Sequence, residues 1–191
     1  NPNQFYIDPK LAWGFYGHRL KLYRQTQPHE GFKLLLNIAQ HMKQGYFVFT
    51  SNVDGQFQKA GFNSNRIYEC HGSIHALQCL FPCHDNVWTA NHFQPVIDEA
   101  NCQLESATPR CPQCGGIARP NILMFNDGAW LSTVYDQQEA RLAEWLKTVS
   151  NPVIIEIGAG IAIPTVRLFS EQFTSRLIRI NPTDARIPHN K

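Results

Sequence analysis

The chain has no apolar run approaching the roughly 20 residues that a membrane-spanning helix needs. It has no block of like charges, and 17 Lys and Arg against 15 Asp and Glu leave a net charge of only +2. Nucleic acid and membrane are therefore not expected as main partners. No basic segment followed by an apolar stretch opens the sequence, so no secretory signal is read there. What is present suits one globular domain, or one domain with an insert: 191 residues, 43% apolar and 12% aromatic. Six cysteines, four of them in two close pairs, read as metal ligands in a reducing compartment, which makes the cytoplasm the expected location.

The stretch from Tyr46 to Gly72 organises the rest. Tyr46 to Thr50 is apolar, β-branched and aromatic, short enough for one buried strand. It ends in Ser51-Asn52-Val53-Asp54-Gly55, and a second short run, Ile67 to Tyr68, delivers Glu69, Cys70 and His71 before Gly72. Open α/β sheets build ligand sites where buried strands release small polar groups at their C-terminal ends. Asn52, Asp54 and His71 would then share one crevice. A plain turn and a polar loop fit the same spacing.

Around this stretch the pattern is α/β. Asp8-Pro9 opens a helix, with Leu11, Phe15 and Leu22 on one face and Ala12, Tyr16, Arg19 and Tyr23 on the adjoining stripe. A second helix is predicted from about Pro28 to Lys43, with Phe32, Leu35, Leu36 and Ala39 in phase. Asp136 with Glu139 resembles a capping box ahead of Leu142, Leu146 and Val149. Val153 to Ile157 reads as a strand, apolar apart from Glu156. It feeds Gly158-Ala159-Gly160, a helix from near Pro164 with Val166, Phe169 and Phe173 inward, and a last strand over Leu177 to Asn181. Strand, glycine turn and helix start make a place for phosphate. The run VIIEIGAG also imitates the first motif of S-adenosylmethionine-dependent methyltransferases, but too little chain follows it for that fold.

Between Ser73 and Arg119 periodicity fades and cysteines accumulate. Cys79-x3-Cys83 and Cys111-x2-Cys114, 27 residues apart, match a four-thiolate tetrahedral zinc site. Gly115 and Gly116 permit a tight knuckle around the metal. With every position taken by sulfur, the zinc would be structural. Cys70 and Cys102 are left over, and His84 is the one tempting substitute ligand.

Thr50-Ser51-Asn52-Val53-Asp54-Gly55, Lys59-Ala60-Gly61 and His71-Gly72-Ser73 together resemble the centre of the sirtuin family, the NAD-dependent protein lysine deacylases. Ser51 stands where that family has Gln. The resemblance implies a Rossmann-like, doubly wound parallel sheet over 1–72 and 120–191, with a small zinc-binding domain inserted at 73–119. It implies His71 as catalytic base and Asn52 as its catalytic partner. Ser51, Asn52, Asp54, Gly158, Gly160 and Asn181 would bind NAD. Arg119-Pro120 and Phe125 match the segment that pairs with substrate, which makes Ile122 and Phe125 substrate-binding, with Asn126-Asp127 in place of Gly-Glu. Tyr16 and Arg19 resemble the Tyr-x-x-Arg pair that holds an acidic acyl group in sirtuins of the desuccinylase or demalonylase type. Expected partners are acyl-lysine proteins or peptides. The family's opening Gly-Ala-Gly-x-Ser motif is not found in Asn1 to Asp8, so weak NAD affinity and little or no activity are expected of these residues alone. A non-catalytic acyl-peptide-binding module, or NAD hydrolysis or ADP-ribosyl transfer, would follow from the same body.

Overall fold

A computed structural model describes residues 1–187. Its largest apolar cluster lies between two N-terminal helices and the cysteine-rich segment. Helix α1 (Asn3–Ile7) leads into α2 (Pro9–Gln25), which starts as expected: Asp8 Oδ1 accepts from the Lys10 and Leu11 N–H groups at 3.0 Å each. The buried face of α2 is not the one the apolar pattern favoured. Phe15 and Leu22 are exposed, whereas Trp13 and Leu20 are fully buried. Glycine is the reason. A Cβ on Gly14 would lie 1.8 Å from the Cys102 carbonyl oxygen, and one on Gly17 would lie 2.9 Å from Ile97 Cδ1. The helix thus seats its glycine face on the insert, and Trp13 Nε1 donates to the Ala118 carbonyl at 2.9 Å.

Helix α3 (Glu30–Gln40) keeps the expected stripe, with Phe32, Leu35, Leu36 and Ala39 turned inward. Strand β1 (Val48–Thr50) runs into the short helix α4 (Gln56–Lys59), and β2 (Ile67–Glu69) pairs with β1 in parallel, Thr50 opposite Glu69. Strand β3 (Gly72–Cys79) is the middle of a three-stranded antiparallel sheet. Its neighbours are β4 (Trp88–Thr89) and β7 (Ala118–Ile122). Between those two, β5 (Ile97–Asp98) and β6 (Gln103–Leu104) form a small hairpin under α2.

Helix α5 (Thr133–Lys147) begins a turn before the expected Asp136–Glu139 capping box. Its Ser132 Oγ donates instead to Asp136 Oδ2 at 2.8 Å. Strand β8 (Ile154–Ile157), helix α6 (Thr165–Ser170) and β9 (Leu177–Ile180) complete a second parallel pair. Helix α6 is shorter than read from sequence, and its buried side chains are Arg167 and Ser170, with Val166 and Phe169 only partly covered. Arg179 explains the inversion. Its Nε reaches Glu156 Oε1 at 2.5 Å and its Nη2 reaches Glu156 Oε2 at 2.9 Å, while Ser170 Oγ donates to the same carboxylate. The inner side of this pair is polar because a paired, hydrogen-bonded charge fills it.

Candidate active site and metal centre

Two parallel strands end side by side, and their loops are tied together. The Cys70 N–H donates to the Thr50 carbonyl at 2.9 Å, and the Ile74 N–H donates to the Val53 carbonyl at 2.9 Å. The loop Ser51 to Asp54 therefore runs along the segment that carries His71. Asn52 is exposed at the strand end, and Asp54 Oδ1 accepts from the Gln56 N–H at 3.0 Å. A histidine that sequence reasoning passed over closes the loop: His75 Nε2 lies 2.9 Å from the Asp54 carbonyl oxygen. Its ring packs so near Gly55 (φ +69) that a Cβ there would meet it at 2.8 Å. The four-residue step from His71 was the only available signal. Beside the loop opens a cavity of about 340 Å³, lined by Tyr23, Arg24, Asp54, Ser73 and His75 among others.

His71 is half-buried, and burial holds its imidazole below the ordinary histidine range. Its Nε2 lies 3.3 Å from Thr165 Oγ1, the first residue of α6. This contact connects the β1–β2 strand ends to the start of α6, the helix that follows the glycine turn of the second pair. There Gly158 sits at φ +67 with its N–H on the Ile180 carbonyl at 2.9 Å. Among the described residues, none but the chain neighbours comes within 4 Å of where a Cβ would stand on Gly158 or Gly160, so the backbone of the turn is open to close approach. Asn181 is brought to the same turn, but as a brace. Its Nδ2 donates to the Ala159 carbonyl at 3.1 Å, and its Oδ1 accepts from the Thr183 and Asp184 N–H groups.

The residues read as acyl-selecting lie along α2. Tyr16 is partly buried and stacked on Phe5, and burial raises its phenol pKa, so it stays a neutral hydrogen-bond donor. Arg19 is exposed over the Phe15 ring and donates to Tyr23 Oη at 3.1 Å. Tyr23 is shared with the Asp54 cavity, whereas Arg19 itself lines a second hollow of about 450 Å³ with Phe15, His18 and Glu99. Ile122 is buried at the end of β7, and Phe125 is 73% exposed just beyond it. Strand β7 pairs only with β3 among the described residues, so its outer edge carries no strand.

Cys79, Cys83, Cys111 and Cys114 converge with all four sulfurs within 4.8 Å of one another. Cys79 and Cys114 are 3.6 Å apart, and Cys83 and Cys111 are 3.7 Å apart. Tetrahedral zinc with Zn–S bonds of about 2.3 Å requires sulfurs about 3.8 Å apart, so the donor set fits zinc in both chemistry and size.

A sequence model of the Sir2 family matches residues 1–162. The chain belongs to the Sir2 family. Curated sirtuin relatives include an NAD-dependent protein deacylase of Aquifex aeolicus (strain VF5), 27% identical over 97% of this chain and 70% of that protein. Another, from Pyrococcus furiosus, is 28% identical over 85% of this chain and 59% of its own length. A deacetylase of Saccharolobus solfataricus is 27% identical over 90% of this chain and 62% of its own. The chain thus spans between 59% and 70% of these relatives. A sirtuin solved to explain substrate affinity superposes with a TM-score of 0.64 over 95% of this chain and 73% of that one, at 23% identity. The fold is therefore the Rossmann-like sirtuin fold, with a cysteine cluster in its insert. No helix among the described residues is long and apolar enough to cross a membrane.

Proposed function

We propose that this sirtuin chain carries the catalytic and peptide-binding parts of an NAD-dependent protein lysine deacylase, acting in the cytoplasm. The observation that supports it best is the backbone lacing of the Asn52–Asp54 loop to the His71 segment, with His71 reaching Thr165 at the start of the helix that follows the glycine turn. NAD, when bound, supplies a ribose carbon that accepts the acyl oxygen as nicotinamide departs. His71, neutral because burial lowers its pKa, takes a proton from a ribose hydroxyl. Asn52 orients the sugar and a water through a neutral amide, which adds no charge beside a developing cation. Asp54 and Ser51 hold the nicotinamide end, and Gly158 with Gly160 lets the cofactor backbone approach, braced by Asn181.

The acyl-lysine peptide adds to the open edge of β7 near Ile122 and Phe125 through main-chain hydrogen bonds. Sir2Tm, 19% identical with a TM-score of 0.52, was solved bound to a propionylated peptide. Residues 73–119 would form the small zinc domain on a body contributed by 1–72 and 120–191. Arg19 makes no ion pair among the described residues, which leaves its guanidinium for an acidic acyl group and supports a desuccinylase or demalonylase preference.

Calorimetric titration of acetyl- and succinyl-lysine peptides, with and without NAD, separates the readings. A deacylase binds acyl peptide more tightly with NAD and releases nicotinamide only when peptide is present. Peptide binding indifferent to NAD identifies a binding module instead. Nicotinamide release without peptide identifies NAD hydrolysis or ADP-ribosyl transfer.

A further inference from the structure

The zinc cluster has a fifth neighbour that is not a ligand. His84 follows Cys83 directly, and its Nε2 lies 3.3 Å from Cys111 Sγ. The other ring nitrogen decides what that contact is. The backbone N–H of Asn86 points at His84 Nδ1 at 3.0 Å. A backbone N–H only donates, so Nδ1 must present its lone pair, and the proton of the neutral ring sits on Nε2. The ring is fixed in this pose by edge contact with Trp88, centroids 5.9 Å apart at 62°. Nε2 therefore offers Cys111 a hydrogen and has no lone pair for a metal. Nδ1 has a lone pair, but it is already engaged.

The sulfurs need such donors. Four thiolates around one divalent ion leave a net charge of about −2 on the cluster. Cys111 is buried, whereas Cys83 and Cys114 are exposed and can draw on water. Cys114 also accepts from the Gly116 N–H at 3.4 Å, through the glycine knuckle. Cys111 has His84 as its side-chain donor. An N–H···S bond draws charge from the sulfur, weakens its pull on a competing proton and slows opening of its bond to zinc.

We propose that His84 is a positioning residue of the metal centre: as the Nε2–H tautomer it donates to the Cys111 thiolate and retards zinc loss. This rests on the reading of the four cysteines as a zinc site. The chain would thus keep zinc through its loop between Cys83 and Trp88 as well as through its four ligands.

The test uses the full chain and two variants. His84→Phe keeps a ring against Trp88 but removes the donor, and His84→Gln restores an N–H of similar reach. Metal content is measured first, then the rate at which zinc passes to excess 4-(2-pyridylazo)resorcinol at fixed pH without oxidant. Long-range ¹H–¹⁵N correlation spectra of the ¹⁵N-histidine-labelled wild type report the tautomer directly. The expected result is one zinc per chain, an Nε2–H tautomer for His84, and release from His84→Phe about tenfold or more faster, with His84→Gln close to wild type. Equal release rates for wild type and His84→Phe would overturn the role of His84 and leave the zinc site standing. An Nδ1–H tautomer, or a nitrogen shifted by direct metal ligation, would do the same, and this result stands even where His84→Phe fails to fold. A wild-type chain purified without zinc would overturn the metal assignment and this proposal together.

Discussion

His71 is the residue on which the proposed chemistry turns, and its environment fixes the pH at which it can act. Burial disfavours the imidazolium, so its pKa falls below the ordinary histidine value of 6.5. The base form then predominates at neutral pH, and the acid limb of kcat/KM should fall at a midpoint under 6.5. Linkage carries the same sign. A group that is harder to protonate when folded takes up protons preferentially in the unfolded chain, so its stability contribution is present above 6.5 and is lost as pH drops below it. His71→Ala should abolish turnover to deacylated peptide while zinc content stays at the wild-type value; a turning-over variant removes His71 from the mechanism. At Arg19 the expected effect is on selectivity. A charge-assisted hydrogen bond contributes about 1.5–3 kcal/mol, enough for more than tenfold in rate. Arg19→Met should therefore cut kcat/KM on succinyl-lysine peptide by more than about tenfold and much less on acetyl-lysine peptide. Equal losses on both would end the acidic-acyl reading.

At the scale of elements, the segment after β7 shows a substitution pair that sequence alone left as a mismatch. Asn126 stands where sirtuins have Gly, and it adopts φ +58, a conformation that Asn tolerates better than most residues. Asp127 stands where they have Glu. Its shorter carboxylate grips Arg119 through two bonds of 2.7 and 2.8 Å, with both side chains at most 1% exposed. The pair locks the turn onto the strand proposed to receive the peptide. Asp127→Asn leaves a buried guanidinium without its counter-charge, so urea unfolding should show a loss of about 3–5 kcal/mol. Replacing both partners, as Arg119→Met with Asp127→Leu, should cost less than the single change, since no orphan charge remains. What could be read beforehand follows the same logic. The four cysteines were legible because close ligand spacing survives any loop conformation. Strand ends were legible because a β-branched run stopped at polar residues. The seating of α2 was not, because its buried face is set by Gly14 and Gly17, which carry no hydrophobic signal. Nor was the start of α5, where Ser132 displaced the apparent cap.

Across the whole molecule, stability is unevenly distributed. The insert and the N-terminal helices share the main apolar cluster, with Trp13, Ile74, Leu77 and Leu104 at most 3% exposed. The two parallel pairs are different. Among the described residues neither β1–β2 nor β8–β9 gains a third strand, and the two remain separate sheets. In β8–β9 the register sets Ile155 opposite Ile178 and Ile157 opposite Ile180, and all four are exposed, while Glu156 and Arg179 point inward. Sequence periodicity identified these strands but could not say which side would be covered, because the decisive contacts come from Ser170 and Glu171 on the following helical segment. A lone two-stranded pair is marginal in water, and here its apolar side does little to hold it. Its cohesion comes chiefly from one buried ion network and the ladder itself. Amide hydrogen exchange should therefore find Ile154–Ile157 and Leu177–Ile180 opening well before Leu77–Cys79, the middle of the three-stranded sheet. Ligand should change this order. If NAD seats on the Gly158–Gly160 turn, it stabilises the strand ends it touches, by mass action on the closed state. Saturating NAD should slow exchange in β8 and leave Leu77–Cys79 unchanged. Slowing spread equally over both sheets would mean that the pairs open as one unit, and protection confined to β3 would place the cofactor away from the glycine turn.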